Sequence, residues 1–137
     1  MLVNLNIRLS SVKENMNRVE EFIGNIMISF GISDFYQAKI ALAVEEAAMN
    51  AITFGNHEDS NKFITVEFNY NNEYFDFAIS DEGEGFNHTN ITNPIESKNE
   101  DEGKGLFLMR TLSDELIFNN TGSKATLRFY NNIRSIA

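Results

Sequence analysis

A chain of 137 residues, 42% of them hydrophobic, with 12 phenylalanines and no cysteine, is long enough to bury one ordinary core and can form neither disulfides nor thiolate metal sites. Its formal net charge of −9 argues against a nucleic-acid surface, which would need clustered Lys and Arg to neutralise phosphates, so no direct nucleic-acid contact is expected. No apolar run reaches the length of a membrane span and the N-terminus lacks the basic-then-apolar plan of a signal peptide, which reads as a cytoplasmic protein without a membrane segment.

Val3, Leu5, Ile7 and Leu9 alternate with Asn4, Asn6 and Arg8, the pattern of a strand with one buried face. Ser11-Val12-Lys13-Glu14 has capping-box spacing, and Val12, Met16, Val19, Ile23, Ile26 and Phe30 follow at helical steps up to Gly31. A second helix is predicted from near Ser33 or Asp34, where Asp34 and Gln37 repeat the capping-box spacing, to about Phe54 before Gly55. Its middle carries Ala43, Ala47 and Ala51, small residues that permit close packing. Glu46 and Asn50 lie four apart and share a helix face, with Glu45 turned away by about 100°. Spacing alone leaves that pair as either a site or part of a solvated stripe.

After a polar connection containing His57, Glu58 and Asp59, Ile64, Val66, Phe68 and Tyr70 alternate with polar residues, and Asn71-Asn72 turns the chain into a second strand, Tyr74 to Ser80. That strand runs into Asp81-Glu82-Gly83-Glu84-Gly85-Phe86. Glycines here permit a tight turn and close approach of a ligand to the backbone, and a buried aspartate suits the amino group of a flat heterocycle; the same six residues also match a plain turn. Residues 87–102 show no periodicity and include the only proline, as expected of a functional lid. Gly103-Lys104-Gly105 then opens a helical stretch from Leu106 to Leu112, offering backbone amides and a positive dipole end to a phosphate, or else serving as a hinge. Leu116 to Asn119 and Ala125 to Tyr130 read as a last hairpin turned at Thr121-Gly122-Ser123. His57 and His88 lie in polar loops without a second ligand at metal spacing. No repeat or second domain is visible, so residues 1–137 read as a single domain.

In this order the motifs resemble the Bergerat-fold ATPases, the superfamily of gyrase B subunits, histidine-kinase ATP domains and anti-sigma-factor serine/threonine kinases. The likeness is greatest to the last group, through Val44 to Ala51, Asp81 to Phe86, and Gly103 to Arg110 running on to Asp114-Glu115. The resemblance implies an α/β two-layer sandwich, with a mixed, mainly antiparallel sheet and helices on one face. It implies ATP and Mg²⁺ as cofactors. Glu46 then corresponds to the general base, Asn50 to the magnesium ligand and Asp81 to the adenine reader, with Gly83, Gly85 and Phe86 beside the base. Gly103, Lys104, Gly105 and Leu106 correspond to the phosphate-binding segment, with backbone amides from Lys104 to Phe107. The family's threonine near the adenine corresponds to Thr126, unless Ala125 takes its place. The implied activity is phosphorylation of an antagonist protein together with sequestration of a sigma factor or similar regulator, with a possible homodimer. The alternatives are a non-catalytic ATP-dependent switch and an ATP-hydrolysing part of a larger machine. Two departures stand out: Phe54-Gly55 replaces the histidine that many relatives carry before the glycine, and Asp101-Glu102 stands where some have an arginine, leaving Lys98 or Lys104 as the nearest cations.

Overall fold

The computed structural model describes residues 2–85 and 100–130. Strand β1 (Val3–Ser10) leads through a 3₁₀ turn (Lys13–Asn15) into α1 (Met16–Ser29) and α2 (Asp34–Asn50). A π-helical turn (Ala51–Gly55) precedes the hairpin of β2 (Phe63–Tyr70) and β3 (Tyr74–Ser80). Helix α3 (Glu100–Leu112) then leads to the hairpin of β4 (Glu115–Phe118) and β5 (Lys124–Tyr130).

The five strands form one sheet in the order β1-β2-β3-β5-β4. All four pairings are antiparallel, so the parallel component of the expected mixed sheet is not found among the described residues. Connectivity explains this. The pair α1 and α2 returns the chain to the end of the sheet it left, so β2 must run back against β1. After β3 the single helix α3 carries the chain to the far end, β4 climbs the outer edge, and β5 descends beside β3. As a consequence the end of α2, the start of α3 and the end of β3 meet at the same rim of the sheet.

Alternation decides which face the helices cover. Ile64, Val66, Phe68, Phe75, Phe77, Ile79, Leu127 and Phe129 are all buried beneath them. Phe68 is the centre of this layer, with ring centroids of Phe30, Phe77 and Phe75 at 4.9, 5.1 and 5.9 Å. Buried Ala43, Ala47, Ala48 and Ala51 let α2 settle onto the sheet and against its helical neighbours. On the opposite face Asp76 is also buried, and accepts from Arg128 Nε at 2.8 Å and Nη2 at 3.0 Å. The Arg128 guanidinium lies 3.7 Å over the Tyr74 ring. Burial of the helix face explains why the strands were legible; the bidentate pair explains how a charge sits mid-sheet.

Helix α1 ends as the glycine implies. Gly31 adopts φ +67, and the amide of Ile32 donates to Met27 O at 2.9 Å while that of Gly31 donates to Ile28 O at 3.2 Å, a Schellman closure. The start of the helix differs from the expected capping box. No side-chain cap is made there, because the Ser11 hydroxyl is fully buried and accepts instead from Asn56 Nδ2 at 2.7 Å. At the start of α2 the expected capping box is absent too: the N-cap is Ser33 and makes no side-chain cap bond, while Gln37 Nε2 donates to Asp34 Oδ1 at 3.1 Å and to Ile32 O at 3.0 Å.

Candidate functional site

Small residues and glycines at the common rim of α2, β3 and α3 leave a cavity of about 380 Å³. That is the size range of small-ligand sites. Its walls come from residues far apart in sequence: Asn50 and Phe54 from the end of α2 and its π turn, Asp81 and Gly83 from the turn after β3, Leu106 from α3 and Ala125 from β5.

The helix face shared by Glu46 and Asn50 is turned toward α3. A Cβ built on Gly105 would lie 2.8 Å from Asn50 Nδ2 and 3.2 Å from Glu46 Oε2, so the missing side chain is what lets the two helices meet around this pair. Among the described residues Asn50 Nδ2 makes only a weak 3.9 Å contact to the thioether of Met109, which by itself resists reorientation of the carboxamide little. A neutral oxygen at this place suits a small hard cation. Among the described residues no group of three His, Cys, Asp or Glu side chains converges to hold a metal; magnesium here would take most of its ligands from phosphate and water. Glu45, one residue before Glu46, faces α1 rather than α3. Burial, and then a hydrogen bond and the charge of Glu20, raise its pKa above the usual 4.5.

Asp81 sits in a turn fixed by several bonds. Its amide donates to Ser123 O at 2.9 Å, and its Oδ1 accepts from the Gly83 amide at 2.8 Å. Burial raises its pKa above the usual 3.8, opposed by the Gly83 hydrogen bond and by the Lys62 ammonium. The glycines around it are required by contact. A Cβ at Gly55 would strike the Asp81 carboxylate, one at Gly83 the Gly55 carbonyl, and one at Gly85, which has φ +80, the Thr121 carbonyl of the last hairpin. The lack of a side chain at Gly55 is thus what leaves room for the Asp81 carboxylate.

Several expected positions are placed differently. Helix α3 begins at Glu100, so Glu100, Asp101 and Glu102, expected at the end of a lid spanning 87–102, are helical, and Gly103 to Gly105 lie inside the helix. Amides from Lys104 to Phe107 therefore fall beyond the first turn, where carbonyls four residues back take them. Three acidic residues at the positive end of the helix dipole favour this earlier start. Lys104 is exposed and does not line the cavity, whereas Leu106 does. Gly103 is buried in α3. Thr126 lies on the opposite face of β5 from Ala125, and it is Ala125 that lines the cavity. The pairing of Thr126 with Ala78 and Ile117 on the open sheet face fixes that choice. Phe86 and positions 87–99 of the expected lid lie outside the described residues.

Sequence reading missed His57, Lys62, Glu84 and Glu102 as cavity-lining residues. Burial raises the Glu102 pKa above the usual 4.5. Only Lys62 carried a signal, as a cation just ahead of β2, and nothing in local spacing links it to Asp81.

The sequence profile described as the histidine kinase-like ATPase domain matches residues 9–130, a span that contains every element from the end of β1 to the end of β5. Among solved structures, the RsbU and RsbW domains of Rv1364c from Mycobacterium tuberculosis are similar, with a TM-score of 0.59 at 14% identity. The superposition covers 98% of this chain and 35% of that one, so the chain spans about a third of its length. At this identity the likeness establishes the fold, an antiparallel sheet covered by three helices. No curated protein matches the sequence.

Proposed function

Because the chain belongs to the histidine kinase-like ATPase family, we propose that its rim cavity binds Mg-ATP and that the protein is an anti-sigma-factor-type serine/threonine kinase. Its substrate would be a small antagonist protein, and the same molecule would sequester a sigma factor or analogous regulator. The observation that carries this reading is the apposition of Glu46 and Asn50 beside Gly105, with Asn50, though not Glu46 itself, in the lining of the cavity that Asp81 also lines. Asp81 accepts a hydrogen bond from the exocyclic amine of adenine. Asn50 would hold magnesium through its side-chain oxygen, and the ion would supply positive charge to offset that of the phosphates. Glu46 holds the acceptor hydroxyl and takes its proton as the phosphoryl group moves, a role in which positioning and charge carry most of the rate.

Residues 1–137 act in this proposal as one ATPase domain, with 87–102 assigned as the ATP lid and Gly103 to Leu106 as the phosphate-binding segment. For Gly103, Lys104 and Gly105 to present free amides, the first turn of α3 must unwind, and the paired glycines make that turn the least costly part of the helix to open. The similarity in fold to the RsbU and RsbW domains of Rv1364c supports a regulatory partnership of this kind, and the proposal extends to a homodimer acting in the cytoplasm. No helix among the described residues is long and apolar enough to cross a membrane.

Purified chain, Mg-ATP and candidate antagonist proteins from the same genome, weighed intact by mass spectrometry, test the kinase. A phosphate adduct on one of them that falls by about 10²–10⁴ in rate for Glu46→Gln supports it. Adduct formation unaffected by that substitution refutes the assigned base. A second reading, the non-catalytic ATP-dependent switch, is favoured by the acidic lining: Glu102 and Glu84 border the cavity where a basic residue would best assist transfer to an acceptor. Complex formation that requires ATP but yields no adduct selects the switch.

A further inference from the structure

One buried side chain ties three distant segments to the turn that carries Asp81. Asn56 is fully buried. Its Nδ2 donates to Ser11 Oγ at 2.7 Å and to Phe63 O at 3.0 Å, and its Oδ1 accepts from the Glu82 amide at 2.8 Å. Both ends of the carboxamide are therefore engaged, by the β1–α1 junction, by the first residue of β2, and by the peptide following Asp81.

The backbone places it there. Had α2 continued with α-helical winding, residue 56 would bond to Ile52; instead the Asn56 amide donates to Ala51 O at 2.8 Å, five residues back. The added residue in this turn rotates Asn56 inward, under the strand ends. The same turn brings Gly55 against the Asp81 carboxylate and under Gly83. Glu82 completes the arrangement by accepting from the Phe63 amide, so the Asp81 turn is held from both sides of the β2 start. A deletion of the Asn56 carboxamide would leave the Glu82 amide and the Phe63 carbonyl, both partly buried, short of this partner, and the turn would shift to regain one.

We infer that Asn56 is a positioning residue for base recognition: it holds the Asp81 turn at a fixed offset from the helix that bears Glu46 and Asn50. This inference rests on the ATP reading above and adds to it the element that sets base specificity. Asn56 touches no nucleotide. It acts through the Glu82 peptide, and its bond to Ser11 makes the β1–α1 junction part of the same framework.

The test compares magnesium-dependent binding of ATP, inosine triphosphate and inorganic tripolyphosphate by calorimetry. Inosine triphosphate replaces the 6-amino donor with a carbonyl, so it reports on Asp81; tripolyphosphate reports on the phosphate end alone. Wild-type chain is expected to prefer ATP over inosine triphosphate by at least about tenfold, since a buried acceptor left facing another acceptor is costly. Asn56→Ala should bring that preference to within about twofold of unity while tripolyphosphate binding changes by less than about twofold. A role confined to stability would weaken all three ligands together, or none. Ser11→Ala removes only one of the carboxamide's partners and is expected to keep the fold and reduce the preference about threefold, so it decides the matter if Asn56→Ala does not fold. A preserved preference in folded Asn56→Ala, or in Ser11→Ala should that be the only folded variant, overturns the inference alone. A wild-type chain that binds no ATP, or binds both nucleotides equally, overturns the reading of Asp81 and the inference with it.

Discussion

Replacing Gly105 with alanine separates the geometry of the site from the stability of the fold. Gly105 is the sixth residue of α3 and is not among the glycines with positive φ. Alanine therefore fits its backbone, and helix propensity alone favours it by about 1 kcal/mol. Against that gain stands the new Cβ, 2.8 Å from Asn50 Nδ2 and 3.2 Å from both Asn50 Oδ1 and Glu46 Oε2, where ordinary contact begins at 3.4 Å. All three atoms are the free ends of flexible side chains. They can rotate away at about 0.5–1.5 kcal/mol, which cancels the propensity gain. The melting temperature should accordingly stay within about 4 °C of wild type.

Function should not be spared. Rotation of the Asn50 carboxamide takes its oxygen from the place where magnesium would be met, and displacement of a ligand's support commonly costs about 10–100-fold in metal affinity. Calorimetric titration with ATP in the presence and absence of magnesium is the assay: the expected result is a magnesium-dependent component weakened by that factor in a protein that melts normally. Binding within about twofold of wild type would show that Asn50 and Glu46 do not serve the ligand from the positions seen here. A variant destabilised by more than about 3 kcal/mol would instead mean that the contact is rigid, contrary to the argument from flexible side-chain ends.

Arg128→Met should cost about 3 kcal/mol in denaturant unfolding because it strands the nearly buried Asp76 carboxylate, and adding Asp76→Leu should recover most of the loss; equal stability of the single variant and wild type would refute this account of the pair. Asp81 and Glu102 both have pKa values raised by burial, so the folded chain holds protons that the unfolded chain releases from about pH 4 upward. Their contribution to stability is complete below the ordinary carboxylate range and is lost as pH rises through the raised values. Glu102→Gln should therefore melt higher than wild type near pH 7, with the difference shrinking toward about pH 4, and a pH-independent difference would contradict the sign.

Strand positions and the Glu46–Asn50 face were legible because an apolar side turned to the helices leaves a period in the sequence even where, as in β3, the other side is buried too: Phe75, Phe77 and Ile79 alternate, and β3 spans Tyr74–Ser80 as the pattern indicates. The start of α3 was misplaced for the opposite reason. Gly103 and Gly105 look like punctuation, yet three acidic residues ahead of them extend the helix at its positive end. Thr126 and Ala125 are adjacent, and only strand pairing decides which of them faces the cavity. Ser11 resembled a helix cap locally, while its actual partner, Asn56, is 45 positions away. Such long-range hydrogen bonds leave no spacing to read.

The lining of the cavity has a consequence for how nucleotide would be held. Asp81, Glu84 and Glu102 line it against His57 and Lys62, so a triphosphate entering without a cation meets more like charge than opposite charge. Burial holds the pKa values of Asp81 and Glu102 above normal, a shift in the direction that lessens that repulsion. A site built in this way depends on a bound cation more than one furnished with an arginine beside the terminal phosphate. Backbone amides become the remaining source of positive potential, and in α3 as it stands those following Gly103 are already committed to the helix. On the proposed reading, binding and opening of the Gly103–Gly105 turn would be one event: the free energy of phosphate contact would have to offset the loss of about one turn of helix, a cost that the glycines keep low. Alanine at Gly105 would raise it, which adds to the affinity loss expected from Asn50 and acts in the same direction.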